Sequence, residues 1–201
     1  MILTSSTSFS DSDADGRQDS SEVARVSGKV DAVRLPKDIY FAERVMQNVQ
    51  PDLHILGHWS YTTEPSAKKI VKMIYVIANT GSVGLFVNGR SHGVNSAPDS
   101  SYIFSFADVE LLPGSLRAIG RQGSKQTAEH ELRTTGPATQ IKLTPIVGPL
   151  GLQADGEDVA LIDVEVVDVR GHRCPTAEVR IEFTCTGPAI WRGGYNSGLV
   201  E

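Results

Sequence analysis

Residues 74–93 read IYVIANTGSVGLFVNGRSHG, and this stretch decides the fold. Its first half lies in VKMIYVIAN, an apolar run rich in β-branched residues and too short for a typical helix, which predicts a strand buried on both faces. Its second half sets Asn88-Gly89 between extended flanks. A type I′ turn needs positive φ at both central residues, and Asn-Gly meets that need, so a two-residue hairpin is predicted. Outward from the hairpin, SLRAIGRQG and QTAEHELRTT read as further strands, with LLPG and RQGSK as turns. Upstream, PDLHILGHWSY at 51–61 reads as the first strand. Residues 51–136 are therefore expected to form one small antiparallel sandwich.

On the C-terminal side TTGPAT interrupts the alternation as a joint, and TQIKLTPI, DVALIDVEVVDV and EVRIEFTCTG resume it. In the middle segment Ala160, Ile162, Val164 and Val166 are expected to face inward, with Asp163 and Glu165 facing out. An immunoglobulin-like sandwich takes about 100 residues and seven strands. Residues 137–201 are thus expected to be a second sandwich, incomplete. On the N-terminal side, SSTSFSDSDADGRQDSSEV is polar and almost without apolar periodicity, the composition of a long loop or a disordered segment. After it, Pro36 suits a helix start. Ile39, Ala42, Val45, Met46 and Val49 recur at three- and four-residue steps until Pro51, predicting a helix over 37–49.

Charge and composition exclude several classes of function. The 201 residues carry a net charge of −5, and the basic residues are scattered rather than gathered in a stripe, so nucleic acid is not an expected partner. No apolar run approaches the roughly 20 residues of a membrane span, and TSSTSFSDSD follows Met1-Ile2-Leu3 where a signal peptide needs an apolar core. No membrane partner is expected, and the compartment stays open. Cys174 and Cys185 flank a segment whose centre alternates like a strand, which holds them beyond disulfide reach.

Four clusters invite a chemical reading. His54, His58, Trp59 and Tyr61 crowd into the strand at 51–61. Two histidines four residues apart share one face of a helix, but along a strand they lie about 13 Å apart. Structural burial of Trp59 and Tyr61 is favoured there, with a sugar-stacking platform and a metal site as the alternatives. His130 alternates with Ala128 and Leu132 and is expected to be a hydrogen-bonded, half-buried histidine. No Ser/His/Asp constellation is recognisable and no nucleophile elbow is expected, which leaves nucleophilic hydrolysis without a seat. In DGEDVALIDVEVVD, Asp163 and Glu165 read as solvated strand residues rather than an acid/base pair. Asp11, Asp13, Asp15, Gly16 and Glu22 match the carboxylate spacing of an EF-hand loop, but the flanks are not helical and Gln18 stands where an apolar residue is usual. Calcium there is left open, and no metal or other cofactor is expected.

The order of GHW at 57–59, LFVNG at 85–89, PGSLRA at 113–118, TTGPA at 134–138 and ADGEDVALI at 154–162 resembles the C-terminal half of family 2 glycoside hydrolases of the β-galactosidase type. The resemblance implies a mainly β chain of tandem immunoglobulin-like sandwiches, with residues 1–50 as the C-terminal remnant of a (β/α)8 catalytic barrel. Such enzymes are retaining hydrolases of β-glycosidic bonds and use two glutamates about 5 to 5.5 Å apart. That pair would lie upstream, so this chain alone is expected to be inactive. Its implied partners are the rest of the parent glycosidase and the parent's carbohydrate substrate, with a homo-oligomer interface left open. Barrel active sites sit at the C-terminal ends of the strands. Phe9, Ser10, Asp11 and Arg17 are the residues the resemblance would bring near substrate. The rival readings are a stand-alone carbohydrate-binding module, with Trp59, Tyr61, Trp191 and Tyr195 as candidate stacking residues, and a cell-surface pair of immunoglobulin-like domains.

Overall fold

The computed structural model describes residues 14–15, 24–25, 28–30, 36–61, 70–153 and 155–194. Near its start, β1 (Ala14–Asp15) and β2 (Ala24–Arg25) form a minimal antiparallel ladder. Helix α1 (Asp38–Gln47) follows Pro36, with Lys37 as its extended N-cap and Asp38 placed where the positive end of the helix dipole favours an acid. It starts one residue later and ends two earlier than the expected 37–49, within ordinary fraying. Ala42 and Val45 bury its inner face against Ile77, with Leu56, Tyr102 and Ile103 around them.

The central unit has seven strands: β3 (Leu53–Ile55), β4 (Val71–Ala78), β5 (Ser82–Val87), β6 (Arg90–Asn95), β7 (Ile103–Glu110), β8 (Ser115–Gln122) and β9 (Lys125–Arg133). They form a three-stranded sheet in the order β3-β4-β7 and a four-stranded sheet in the order β6-β5-β8-β9, with every pair antiparallel. One core draws on both sheets: Ile55, Val76, Phe104 and Val109 from the first, Val83, Leu85, Leu116 and Ala118 from the second. Two antiparallel sheets over one alternating core make an immunoglobulin-like sandwich. Asn88 at φ 50° and Gly89 at φ 78° make the turn between β5 and β6 with both central residues left-handed, as the dipeptide predicts.

Three strands differ from expectation. The first strand is three residues long instead of running through Tyr61: after Ile55 the chain passes through Gly57 at φ 82° and leaves the ladder. β4 is buried on both faces only in its second half. Ile74, Val76 and Ala78 enter the sandwich and α1 covers Ile77, while Met73 and Tyr75 stay half-exposed beyond the helix. β7 was not foreseen at all. Its inward residues are Phe104 and Phe106, then Val109 and Leu111, so the period of two slips by one residue. The slip is a bulge: Ala107 and Asp108 lie between Phe106 and Val109 of β7 where Met73 alone lies between Lys72 and Ile74 of β4, and Asp108 takes φ 54°.

Beyond the joint, β10 (Gln140–Ile146) and β11 (Leu161–Val167) form a two-stranded antiparallel sheet. The expected inward face of β11 is not buried, with Ile162 as well as Ile141 and Leu143 of β10 about half-exposed. Alternation marks a face, but a face is buried only when a second layer covers it, and among the described residues none does. EVRIEFTCTG at 178–187 likewise forms no strand, because it has no ladder partner there.

A close approach inside the sandwich can be tested. A Cβ on Gly120, buried in β8, would sit 2.8 Å from Thr80 Cγ2 and 2.9 Å from Leu53 Cδ2. Gly120→Ala is therefore expected to cost about 1–3 kcal/mol by overpacking, read as a lower urea midpoint with an unchanged slope.

Candidate functional site

The histidines of the 51–61 segment separate by environment. Leu53 and Ile55 point into the core, and between them His54 stacks on Phe41 of α1 at 4.2 Å and on His130 of β9 at 4.5 Å between ring centroids. His54 Nε2 lies 3.5 Å from Asp38 Oδ1. Asp38 in turn accepts the Gly57 amide at 2.7 Å. The Ile55 amide, on the outer edge of β3, donates to His130 Nδ1 at 3.0 Å. An accepting Nδ1 is unprotonated, so the ring is neutral with its proton on Nε2. Burial, then the neighbouring His54 and Arg44, lowers the His130 pKa to about 4. His130 is thus the hydrogen-bonded, half-buried residue its alternation predicts.

His58 is in a different place, tilted against Tyr61 at 4.4 Å, and its Nδ1 accepts the Ser60 amide at 3.1 Å. Burial, followed by Lys72 and Arg173, lowers its pKa. Among the described residues no group of three or more His, Cys, Asp or Glu is placed to hold a metal. Trp59 is 2% exposed, with its indole N–H on the Leu112 carbonyl at 3.0 Å. Neither ring face is open to a sugar. Tyr61 packs against the same core and carries Lys72 Nζ 3.7 Å from its ring centroid, a cation–π contact.

Residues 133–136 connect this segment to the second unit. Thr134 Oγ1 donates to the Trp59 carbonyl at 2.8 Å, and the Thr135 amide donates to Ser60 Oγ at 3.1 Å. The Gly136 amide then donates to Asp168 Oδ2 at 2.9 Å. Asp168, at the end of β11, is buried and also accepts the amides of Arg170 at 2.8 Å and His172 at 3.0 Å. Those amides, Gly136 foremost, hold its pKa at about 2. Asp168 is the residue that sequence reasoning missed. Its signal was an acid directly after a strand, in Asp-Val-Arg-Gly, the pattern of an Asx turn.

The remaining candidates are dispersed. Trp191 is half-exposed and stacks on Phe183 at 5.2 Å, the rings 16° from parallel. Phe9, Ser10, Asp11, Asp13, Gly16, Arg17, Gln18, Glu22 and Tyr195 lie outside the described residues, and of Asp15 only its place on β1 is described. Asp163 and Glu165 do not make an acid/base pair, since Glu165 salt-bridges to Lys142 at 2.6 Å. Cys174 is buried and Cys185 exposed, both free. One expectation needs correction at the level of sequence: GRSHG at 89–93 does have the G-x-S-x-G spacing of a nucleophile elbow. The structure puts it on β6 of an antiparallel hairpin, with Ser91 paired to Phe86, not on the strand-to-helix turn that such a nucleophile requires.

Fold and site define a class, a β-sandwich segment tied through a hydrogen-bonded joint to a second β unit. Residues 149–199 match glycoside hydrolase family 2 C-terminal domain 5, and residues 69–128 match a domain of unknown function, DUF4982. The chain is 49% identical, over 94% of its length, to a β-glucuronidase of Formosa agariphila, and 34% identical, over 87%, to the β-galactosidase BoGH2A of Bacteroides ovatus. It spans about a fifth of the length of these curated relatives, 19% and 20%. The solved structure of a β-glucuronidase from glycoside hydrolase family 2 superposes with a TM-score of 0.84 at 47% identity, over 93% of this chain and 19% of that one. The chain belongs to glycoside hydrolase family 2, within its C-terminal β-sandwich region.

Two measurements check the site. Trp59→Ala is expected to destabilise the sandwich by about 3–5 kcal/mol, the scale of a buried large aromatic, and His58→Ala by much less, in denaturant melts with and without chelator. The lowered His130 pKa also fixes a sign. The unfolded chain takes up this proton near pH 6.5 and the folded one only near 4, so stability should be full above about 6.5 and fall as pH drops through that window. His130→Gln should flatten the melting temperature between pH 6.5 and 4 relative to wild type.

Proposed function

We propose that this chain is a noncatalytic C-terminal portion of a retaining β-glycosidase of the β-glucuronidase or β-galactosidase kind, with a structural or substrate-access role. The observation that carries this is the similarity to a β-glucuronidase along 94% of the chain and only 19% of that enzyme. The higher identity to that relative than to the β-galactosidase favours a β-glucuronide as the parent's substrate. In this reading residues 1–50 close a catalytic barrel, 51–136 form the first sandwich and 137–201 belong to the second. Support for a structural role comes from α1, which buries Val45 and Ala42 against β4 and so ties residues N-terminal to the sandwich onto its outer face. The half-exposed Met73 and Tyr75 beside it are suited to contact with the rest of the parent or with a second copy.

A second reading, carbohydrate binding by the chain itself, is favoured by one observation, the exposed Phe183–Trp191 stack. Flat aromatic pairs of this kind suit the apolar face of a pyranose.

The purified chain is expected to show no turnover of aryl β-glucuronides or aryl β-galactosides above buffer. Exchanging it for the corresponding fifth of the Formosa agariphila β-glucuronidase should give an active chimera. Turnover by the chain alone that survives repurification would overturn the noncatalytic role, and a folded but inactive chimera would overturn the parentage. Retention of the chain on immobilised polysaccharide, lost in Trp191→Ala, would favour the second reading.

A further inference from the structure

We propose that the joint between the two sheet units is a binding site for a small oxyanion, the carboxylate of an acidic sugar. A cavity of about 200 Å³ opens there. Its floor is Asn88, Gly114, Ser115 and Thr134 of the sandwich, and its wall is Arg133 from the end of β9 with Arg170 and His172 from the turn after β11. The cavity is smaller than the roughly 300–1,000 Å³ of sites for drug-sized ligands, which limits it to one ring or less.

Of the neutral side chains of the floor, Asn88 and Thr134 are already engaged. Asn88 Nδ2 donates to the Pro113 carbonyl at 3.0 Å and Oδ1 accepts the Ser115 amide at 2.7 Å. Thr134 Oγ1 accepts the Gly114 amide at 3.0 Å and donates to the Trp59 carbonyl at 2.8 Å. On the wall, Arg133 spends one Nη2 contact on Glu131 at 2.9 Å and keeps the rest of its fork. The Arg170 guanidinium has no acceptor among the described residues, while its backbone amide is anchored on Asp168. His172 Nδ1 is buried without a hydrogen bond, 3.5 Å from Asp168 Oδ2.

Asp168 is committed within the joint itself. Its two oxygens are committed to three backbone amides, and it serves to hold the turn that presents Arg170 and His172. Two guanidiniums on opposite sides of a joint match a planar carboxylate, which accepts from such forks bidentately. Glu131 and Asp168 offset part of the positive charge there, so recognition rests on the forks of Arg133 and Arg170, which meet only where the two units join.

The test is a titration of the 201-residue chain at low ionic strength, followed by amide chemical shifts, with sodium glucuronate, glucose and sodium sulfate as probes. Saturable shifts with glucuronate at Gly114, Ser115, Arg170 and His172, absent with glucose and weakened by added salt, are expected. Arg170→Gln and Arg133→Gln should each weaken glucuronate binding about tenfold, the scale of one charge-assisted hydrogen bond, and Arg170→Lys less. Both side chains are on the surface, so unchanged melting temperatures will show that the variants fold. No saturable shift, equal affinity for glucose, sulfate bound as tightly as glucuronate, or indifference to both substitutions would each overturn the assignment.

Discussion

The Ile55 amide bound to His130 Nδ1 is the contact on which the sandwich depends. β3 is the outer strand of its sheet and β9 the outer strand of the other, so this bond closes the open side between them. An edge amide left unpaired in a half-buried seam costs about 1–3 kcal/mol. The imidazole satisfies it, and the ring's faces continue the closure through His54 to Phe41, joining helix and both sheets in one stack. Because the bond needs a bare Nδ1, the same contact that closes the sandwich also makes it sensitive to acid.

A second contact, at Asp168, does for the pair of units what His130 does within one. Thr134 and Thr135 tie the joint back to Trp59 and Ser60, and the next residue, Gly136, hands its amide to Asp168. Trp59 thus belongs to both systems: its ring fills the core and its carbonyl receives the joint. A short linker whose amides and hydroxyls at Thr134, Thr135 and Gly136 are engaged sets the two units in a defined relation. That relation is what creates a cleft with guanidiniums from both sides.

The second unit is of a different character. Its two strands pair along their full length, yet Ile141, Leu143, Ile162, Val179 and Phe183 are about half-exposed. A two-stranded sheet with one apolar face left open gains little on its own, and its stability depends on covering that surface. In relatives about five times as long the same region is one part of a much larger chain.

The sequence by itself determined whatever depends on local periodicity and turn chemistry. Asn88-Gly89 could hardly serve as anything but a left-handed two-residue turn, the alternation of Ala128, His130 and Leu132 placed the histidine on the inner face, and Pro36 and Pro51 bracketed the helix. The order of short motifs was specific enough to indicate the family. Only the tertiary structure decided what depends on partners far along the chain. β7 was hidden because the bulge at Asp108 shifts its period by one, and a bulge is defined against the strand opposite. LHILGHWSY looked like a strand along its whole length, but Gly57 takes it out of the ladder and its later aromatics are buried from a loop. The wall of Arg133, Arg170 and His172 was illegible because about 40 residues separate its members, and nothing local draws them together. They meet through one buried carboxylate and the backbone amides it collects.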